Sequence, residues 1–136
     1  MKRAIVMVGL PRSGKSTRAK EIHKETGYPI VSGDCVRLAL HGERFLEPAE
    51  VIIHPLVLLM ARAILLNHDG VIIDECNVTQ ARRDRWIYGL HDCRIIFDVV
   101  NTSMEVCIQR ASNEQDKQLV PVIKRMNSSY QPIKEE

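Results

Sequence analysis

The sequence predicts a three-layer α/β domain, a parallel sheet of four strands with helices on both faces. Three observations predict it. Short apolar runs alternate with segments of helical length. Those runs are nearly continuous in their apolar character, as strands buried on both faces must be. A glycine-rich turn, "GLPRSGKST", joins the first run to the first helical segment. At 136 residues the chain has the size of one domain, expected over 1–136, and is long enough to bury a core.

Each element has its own warrant. Ala4 to Val8 is the first apolar strand, and Lys15 to Thr26 reads as a helix stopped by Gly27. Tyr28 to Val31 is a short second strand, and Asp34 to His41 a short helix closed by Gly42. Glu43 to Pro48 reads as a loop. Ala49 to Asn67 has helical length, with Pro55 marking a place to kink or split. Val71 to Asp74 is the third strand, and Thr79 can cap a helix running to about Gly89. Arg94 to Val100 is the fourth strand, followed by a helix from Thr102 to about Arg110. "SNEQDKQ", Ser112 to Gln118, is polar and reads as a loop. Pro121 suits the first turn of a last helix ending before Pro132, and the terminal "KEE" is expected to fray.

Composition narrows the class. The chain is 45% hydrophobic and 26% charged, with a net charge of +2. That charge is too small for a general nucleic-acid coat, so any such contact must be local. No apolar run reaches the roughly 20 residues of a membrane span. Val51 to Leu66, the longest, is broken by His54, Pro55 and Arg62. The short apolar stretch after Met1 leads into the glycine turn, so a signal peptide is not expected. Cys35, Cys76, Cys93 and Cys107 form no CxxC pair, which argues against zinc or redox chemistry and for buried thiols. A cytoplasmic protein is expected.

Gly9-x-x-x-x-Gly14-Lys15-Ser16 matches the phosphate-binding loop in full. Its glycines let several backbone N–H groups converge on one anion, and the following helix adds its positive end. Lys15 is expected on the β- and γ-phosphates and Ser16 on magnesium. Gly9, Arg12, Ser13, Gly14 and Thr17 complete the nucleotide-binding set. Arg12 has two readings, a phosphate contact or a solvated side chain. Thr17 likewise either packs its helix or reaches the α-phosphate.

Beyond the loop, "SGDCVR" places Asp34 just past strand two, where ligands bind in open α/β sheets. Arg37 follows one helical turn later on the same face. Asp34 can accept a proton from an attacking hydroxyl, and Arg37 can hold an acceptor phosphate or orient Asp34. The alternative is an N-cap aspartate beside a surface arginine. Asp74 ends strand three and either supports magnesium through water, positions Ser16 or faces the acceptor. Glu75 can activate a water, which suits an ATPase. Arg82, Arg83 and Arg85 read as a solvated basic face or as an anion contact. Trp86 and His54 read as core and polar-edge residues rather than a stacking platform and a ligand. Arg110 is the candidate γ-phosphate contact, in front of a lid at about 111–120 whose only basic residue is Lys117.

Taken together, "GLPRSGKST", "SGDCVR", "IIDECNVTQARR", "CIQR" and "VPVIKRMNSSY" resemble the kinase domain of bacteriophage polynucleotide kinases and the wider group of small AAA-like P-loop kinases. The resemblance covers nearly the whole chain. It implies a nucleoside-kinase-like P-loop NTPase fold, with strand order 2-3-1-4. It also implies ATP as co-substrate, Mg2+, and a nucleic-acid 5′ end as partner. Lys15 and Ser16 would meet ATP and magnesium, and Asp34 would be the base for a 5′-hydroxyl. Arg37 would hold the acceptor's phosphate near Asp74 and Asn77, while Arg110 would face the nucleotide; Arg82, from the basic run, is a further acceptor-binding candidate. Where the family's lid carries a second arginine, this chain has Asn113 and Glu114. The same group contains kinases of hydroxymethylated bases and small metabolites. An ATPase, a non-catalytic nucleotide-binding regulator and an oligomeric state are all compatible with the sequence.

Overall fold

The computed structural model describes residues 1–43 and 47–134. Among these residues four parallel strands form one sheet: β1 (Arg3–Val8), β2 (Ile30–Ser32), β3 (Gly70–Asp74) and β4 (Arg94–Val99). Their order is β2-β3-β1-β4, as the sequence led us to expect. Among the described residues six α-helices accompany them: α1 (Lys15–Thr26), α2 (Gly33–His41), α3 (Glu50–Ile64), α4 (Gln80–Gly89), α5 (Met104–Asn113) and α6 (Leu119–Ser129).

The two inner strands explain the apolar runs. Ala4, Val6, Val71 and Ile73 point to one face of the sheet and pack against Ile53, Val57 and Ala61 of α3 and Trp86 of α4. The spacing of Ile53, Val57 and Ala61 is four residues, so one stripe of α3 meets the sheet. Ile5, Met7 and Ile72 point to the other face and meet Ala19 and Ile22 of α1. A third cluster, around Leu10, Cys107, Ala111 and Ile123, seats α5 and α6 beside the phosphate loop.

Several boundaries move for physical reasons. Strand two begins at Ile30, two residues later than the sequence suggests, because its ladder opens with the Pro29 carbonyl accepting from the Ile72 amide at 2.9 Å. Tyr28 instead lies across Gly70, where an added Cβ would sit 2.5 Å from its ring. The long third helix is not split at Pro55; it runs unbroken from Glu50 to Ile64 and stops three residues before Asn67. The fifth helix starts at Met104, capped by Ser103, two residues later than the Thr102 start the sequence suggests. It continues to Asn113, past Arg110, because Ala111 is fully buried among Cys107 and Ile123. Part of the expected polar loop is therefore helical. Residues 44–46 of the loop expected at Glu43 to Pro48 lie outside the described residues, as do 135–136 of the terminal "KEE". Among the described residues no helix is long and apolar enough to cross a membrane. All four cysteines are free thiols; Cys93 and Cys107 are buried, Cys76 is half-buried, and Cys35, contrary to expectation, is exposed.

Candidate active site

The phosphate loop is built by strand β1 handing over to α1. Gly14, the residue before the helix, has φ of 100°, a conformation open to glycine and strained for other residues. Gly9 is required for a different reason: a Cβ there would lie 2.8 Å from Ser13 Oγ and 2.9 Å from the Val100 carbonyl. Thr102 pins the loop from the far side by donating to the Ser13 carbonyl at 2.7 Å. Ser13 itself is buried, with its amide donating to the Leu10 carbonyl, so its hydroxyl lies under the loop rather than over it. Lys15 donates to the Leu10 carbonyl at 2.8 Å, which holds its ammonium at the loop. Ser16 and Thr17 are exposed and line the cleft.

Ser16 Oγ donates to Asp74 Oδ2 at 2.8 Å. A hydroxyl and a carboxylate at the end of a buried strand are hard oxygen donors, the set magnesium takes together with substrate phosphates. Among the described residues no cluster of three or more His, Cys, Asp and Glu forms a metal cage. The residues present thus fit a cation shared with a nucleotide, held by Ser16 and, through water, by Asp74.

On the other side of the cleft, Ser32 caps α2 by accepting from the Cys35 amide at 3.3 Å. The cap role open to Asp34 falls to Ser32. Asp34 is freed for the cleft, where it is largely exposed and accepts from Arg37 Nη1 at 3.1 Å. Arg37 is well enclosed, its side chain only 13% exposed. Glu50, the first residue of α3, grips it with both oxygens: Nε lies 2.9 Å from Oε2, and Nη2 2.9 Å from Oε1. Glu75 Oε1 stands 3.8 Å from Nη1. Nothing in the local sequence pattern singles out Glu50.

Glu75 is folded beneath Gly33, where a Cβ would sit 1.5 Å from Oε1. That oxygen is buried without a hydrogen-bond partner among the described residues. Burial pushes the Glu75 carboxyl above its usual range, while Arg37 and Arg82 pull it back. A carboxyl raised in the folded state favours folding below its unfolded pKa, and that advantage is lost as pH rises through the folded value. Glu75→Gln is therefore expected to melt several degrees higher than the parent at pH 8. The two proteins should converge near pH 4. Calorimetric melting at the two pH values checks this, and an equal gap at both would sink it.

Helix α4 corrects one further expectation. Arg83 does not belong to a solvated basic face; it is 1% exposed. It donates to the carbonyls of Asn77 at 3.0 Å and Gln131 at 2.6 Å, tying α4 to the segment after α6. Asn77 is 2% exposed with φ of 50°, in the left-handed region that asparagine tolerates. Its amide donates to the Met7 carbonyl at 2.9 Å and accepts from Trp86 Nε1 at 2.8 Å. Both ends of that side chain are thus engaged inward, though the residue borders the cleft. Trp86 is core, as expected, with His54 against its ring. Burial and the nearby Arg85 and Arg82 lower the His54 pKa to about 4. Arg82 is exposed at the cleft wall.

The segment after α5 meets the loop directly. Arg12, with φ of 66°, pairs with Glu114 and, at 2.7 Å, with Asp116. Neither open reading of Arg12 anticipates this. Arg110 Nη1 donates to the Arg12 carbonyl at 3.0 Å, so its guanidinium lies on the loop. Side chains from α6, Val122, Arg125 and Met126 among them, complete a cleft of about 860 Å³ that also holds Lys15, Ser16, Asp34 and Arg37. That size suits a small-molecule site.

A phosphate loop between β1 and α1, a Ser–Asp pair and this strand order define a P-loop domain of the kinase type. The AAA domain family matches residues 5–133, and the chain belongs to that family. Solved structures agree. A chain in the structure of a Pnkp1/Rnl/Hen1 complex superposes with a TM-score of 0.72 at 28% identity, over 80% of this protein and 38% of that chain. A chain in the structure of the Pnkp1/Rnl/Hen1 RNA repair complex gives 0.72 at 21% identity, covering 96% and 46%. A gluconokinase from Sinorhizobium meliloti 1021 gives 0.66 at 18% identity, covering 95% and 75%. The protein therefore spans less than half the length of the two Pnkp1/Rnl/Hen1 chains. These likenesses bear out the resemblance to small P-loop kinases drawn from the motifs.

Proposed function

We propose that the protein is an ATP- and magnesium-dependent phosphotransferase acting on a hydroxyl, with the 5′-hydroxyl of a polynucleotide as its first acceptor. The observation that carries this is one cleft holding a phosphate loop on one wall and the Asp34–Arg37 pair on the other. Asp34 accepts the acceptor's proton as its oxygen bonds to the γ-phosphorus and the bond to the β-phosphate oxygen breaks. Lys15 and Arg110 stabilise the charge on the transferred group. Ser16 and, through water, Asp74 would hold magnesium, which would supply charge neutralisation for the phosphates. Arg37 and Arg82 receive the acceptor, while Asn77 holds the strand ends in place. The segment at about 111–120 acts as the lid. Reduced thiols accord with a cytoplasmic setting.

The polynucleotide acceptor is supported by the 28% likeness to a chain of a Pnkp1/Rnl/Hen1 complex. A second reading, a small or base-borne hydroxyl with no adjoining phosphate, is favoured by one observation: Arg37 already faces three carboxylates. The test is γ-labelled ATP with magnesium and four parallel acceptors: a 5′-hydroxyl oligonucleotide, its 5′-phosphorylated form, hydroxymethyluracil DNA, and none. Label on the first alone is expected. Label only on the modified DNA moves the acceptor to the base. Phosphate release with no labelled acceptor overturns the polynucleotide reading and favours hydrolysis at Glu75. Tight ATP binding with no turnover leaves a nucleotide-binding regulator.

A further inference from the structure

Resting on the phosphotransferase reading, we infer that Glu50 sets the charge of acceptor the site admits, by competing with an acceptor's anionic group for Arg37. A guanidinium recognises phosphate best through two parallel N–H bonds along one planar edge. In this protein the Nε–Nη2 edge is already engaged in that way, by both oxygens of Glu50 at 2.9 Å. The opposite side is no freer. Nη1 donates to Asp34 and lies 3.8 Å from Glu75. A phosphate reaching Arg37 must therefore displace a carboxylate of matching shape, and until it does it faces three acidic side chains around one cation.

The placement of Glu50 makes it a deliberate competitor rather than a passing surface partner. It opens α3, the helix whose Ile53, Val57 and Ala61 lock it to the sheet, and its side chain is 24% exposed. Its carboxylate is fixed by that packing and further favoured by the helix N-terminus. It lines the same cleft as Asp34 and Arg37. The site as folded accordingly holds back an acceptor that carries an anion beside the reacting group, the adjoining phosphate of a polynucleotide included. An anionic acceptor enters only as Glu50 gives way.

The test separates binding from turnover. Titration calorimetry would compare a nucleoside 3′-monophosphate with the parent nucleoside, against the unmodified protein, Glu50→Gln and Glu50→Asp. Glu50→Gln keeps the shape and removes the charge. It is expected to bind the monophosphate about tenfold more tightly than the unmodified protein, with no change for the nucleoside. Glu50→Asp should stay close to the unmodified protein. An unchanged melting temperature and ATP affinity would certify the fold. Monophosphate binding that is equal, weaker or undetectable in Glu50→Gln overturns the inference, because Glu50 would then be positioning Arg37 and not opposing its ligand. Loss of the phosphotransferase reading looks different: no acceptor is labelled by the unmodified protein, whatever the calorimetry reports.

Discussion

Asp34→Asn is expected to lower phosphoryl transfer by two to three orders of magnitude, roughly the span that general-base catalysis supplies. Asparagine keeps the shape and an oxygen that can still accept from Arg37 Nη1, now 3.1 Å away. The α2 cap belongs to Ser32, so the helix does not depend on the aspartate's charge. ATP affinity and melting temperature should therefore be unchanged while transfer collapses, a fall in kcat with little effect on the KM for ATP. Single-turnover transfer from labelled ATP measures it. The paired variant is Glu75→Gln. Loss of turnover there, with Asp34→Asn active, would reassign the chemistry to water activation at Glu75 and make the protein an ATPase.

Removing Arg83 is expected to be the most damaging change away from the chemistry. Arg83→Ala should cost about 4 kcal/mol, from buried carbonyls left without donors and a cavity where the side chain lay. That is a large share of the stability of an ordinary domain. The Asn77 carbonyl, the Gln131 carbonyl and the Pro132 carbonyl, at 3.0, 2.6 and 3.4 Å, all lose their charged partner. Asn77 also holds Trp86 and the Met7 carbonyl, so the damage reaches the end of β1 and the loop that follows. Urea unfolding checks the prediction. A loss under about 1 kcal/mol would mean that the arginine is replaceable by water or by a rearranged neighbour.

These two residues mark how far the sequence could be read. The place of Asp34 in the cleft beside Arg37 was legible because its signal is local: an apolar strand, a glycine, an acid and an arginine one turn later. Arg83 was not, because it sits between Arg82 and Arg85 in a run that looks uniformly solvated. Helical periodicity put Arg83 on the inner face with Trp86, three positions on, yet a charged residue is read as outward unless its partners are known. Two of those partners lie 48 and 49 positions away.

The sequence by itself determined the strands, most of the helices, the strand order once the motifs were matched, and the phosphate loop. Each of these is encoded within a few neighbouring residues, through apolar runs, glycines at required conformations and a lysine and serine at fixed spacing. The tertiary structure decided the charge state of the cleft. Glu50 reaches Arg37 across 13 positions and Asp116 reaches Arg12 across 104. No local pattern specifies such pairs. They exist because two apolar faces of one sheet bring α2 to α3 and α5 to the loop, and burial then selects which charges must meet.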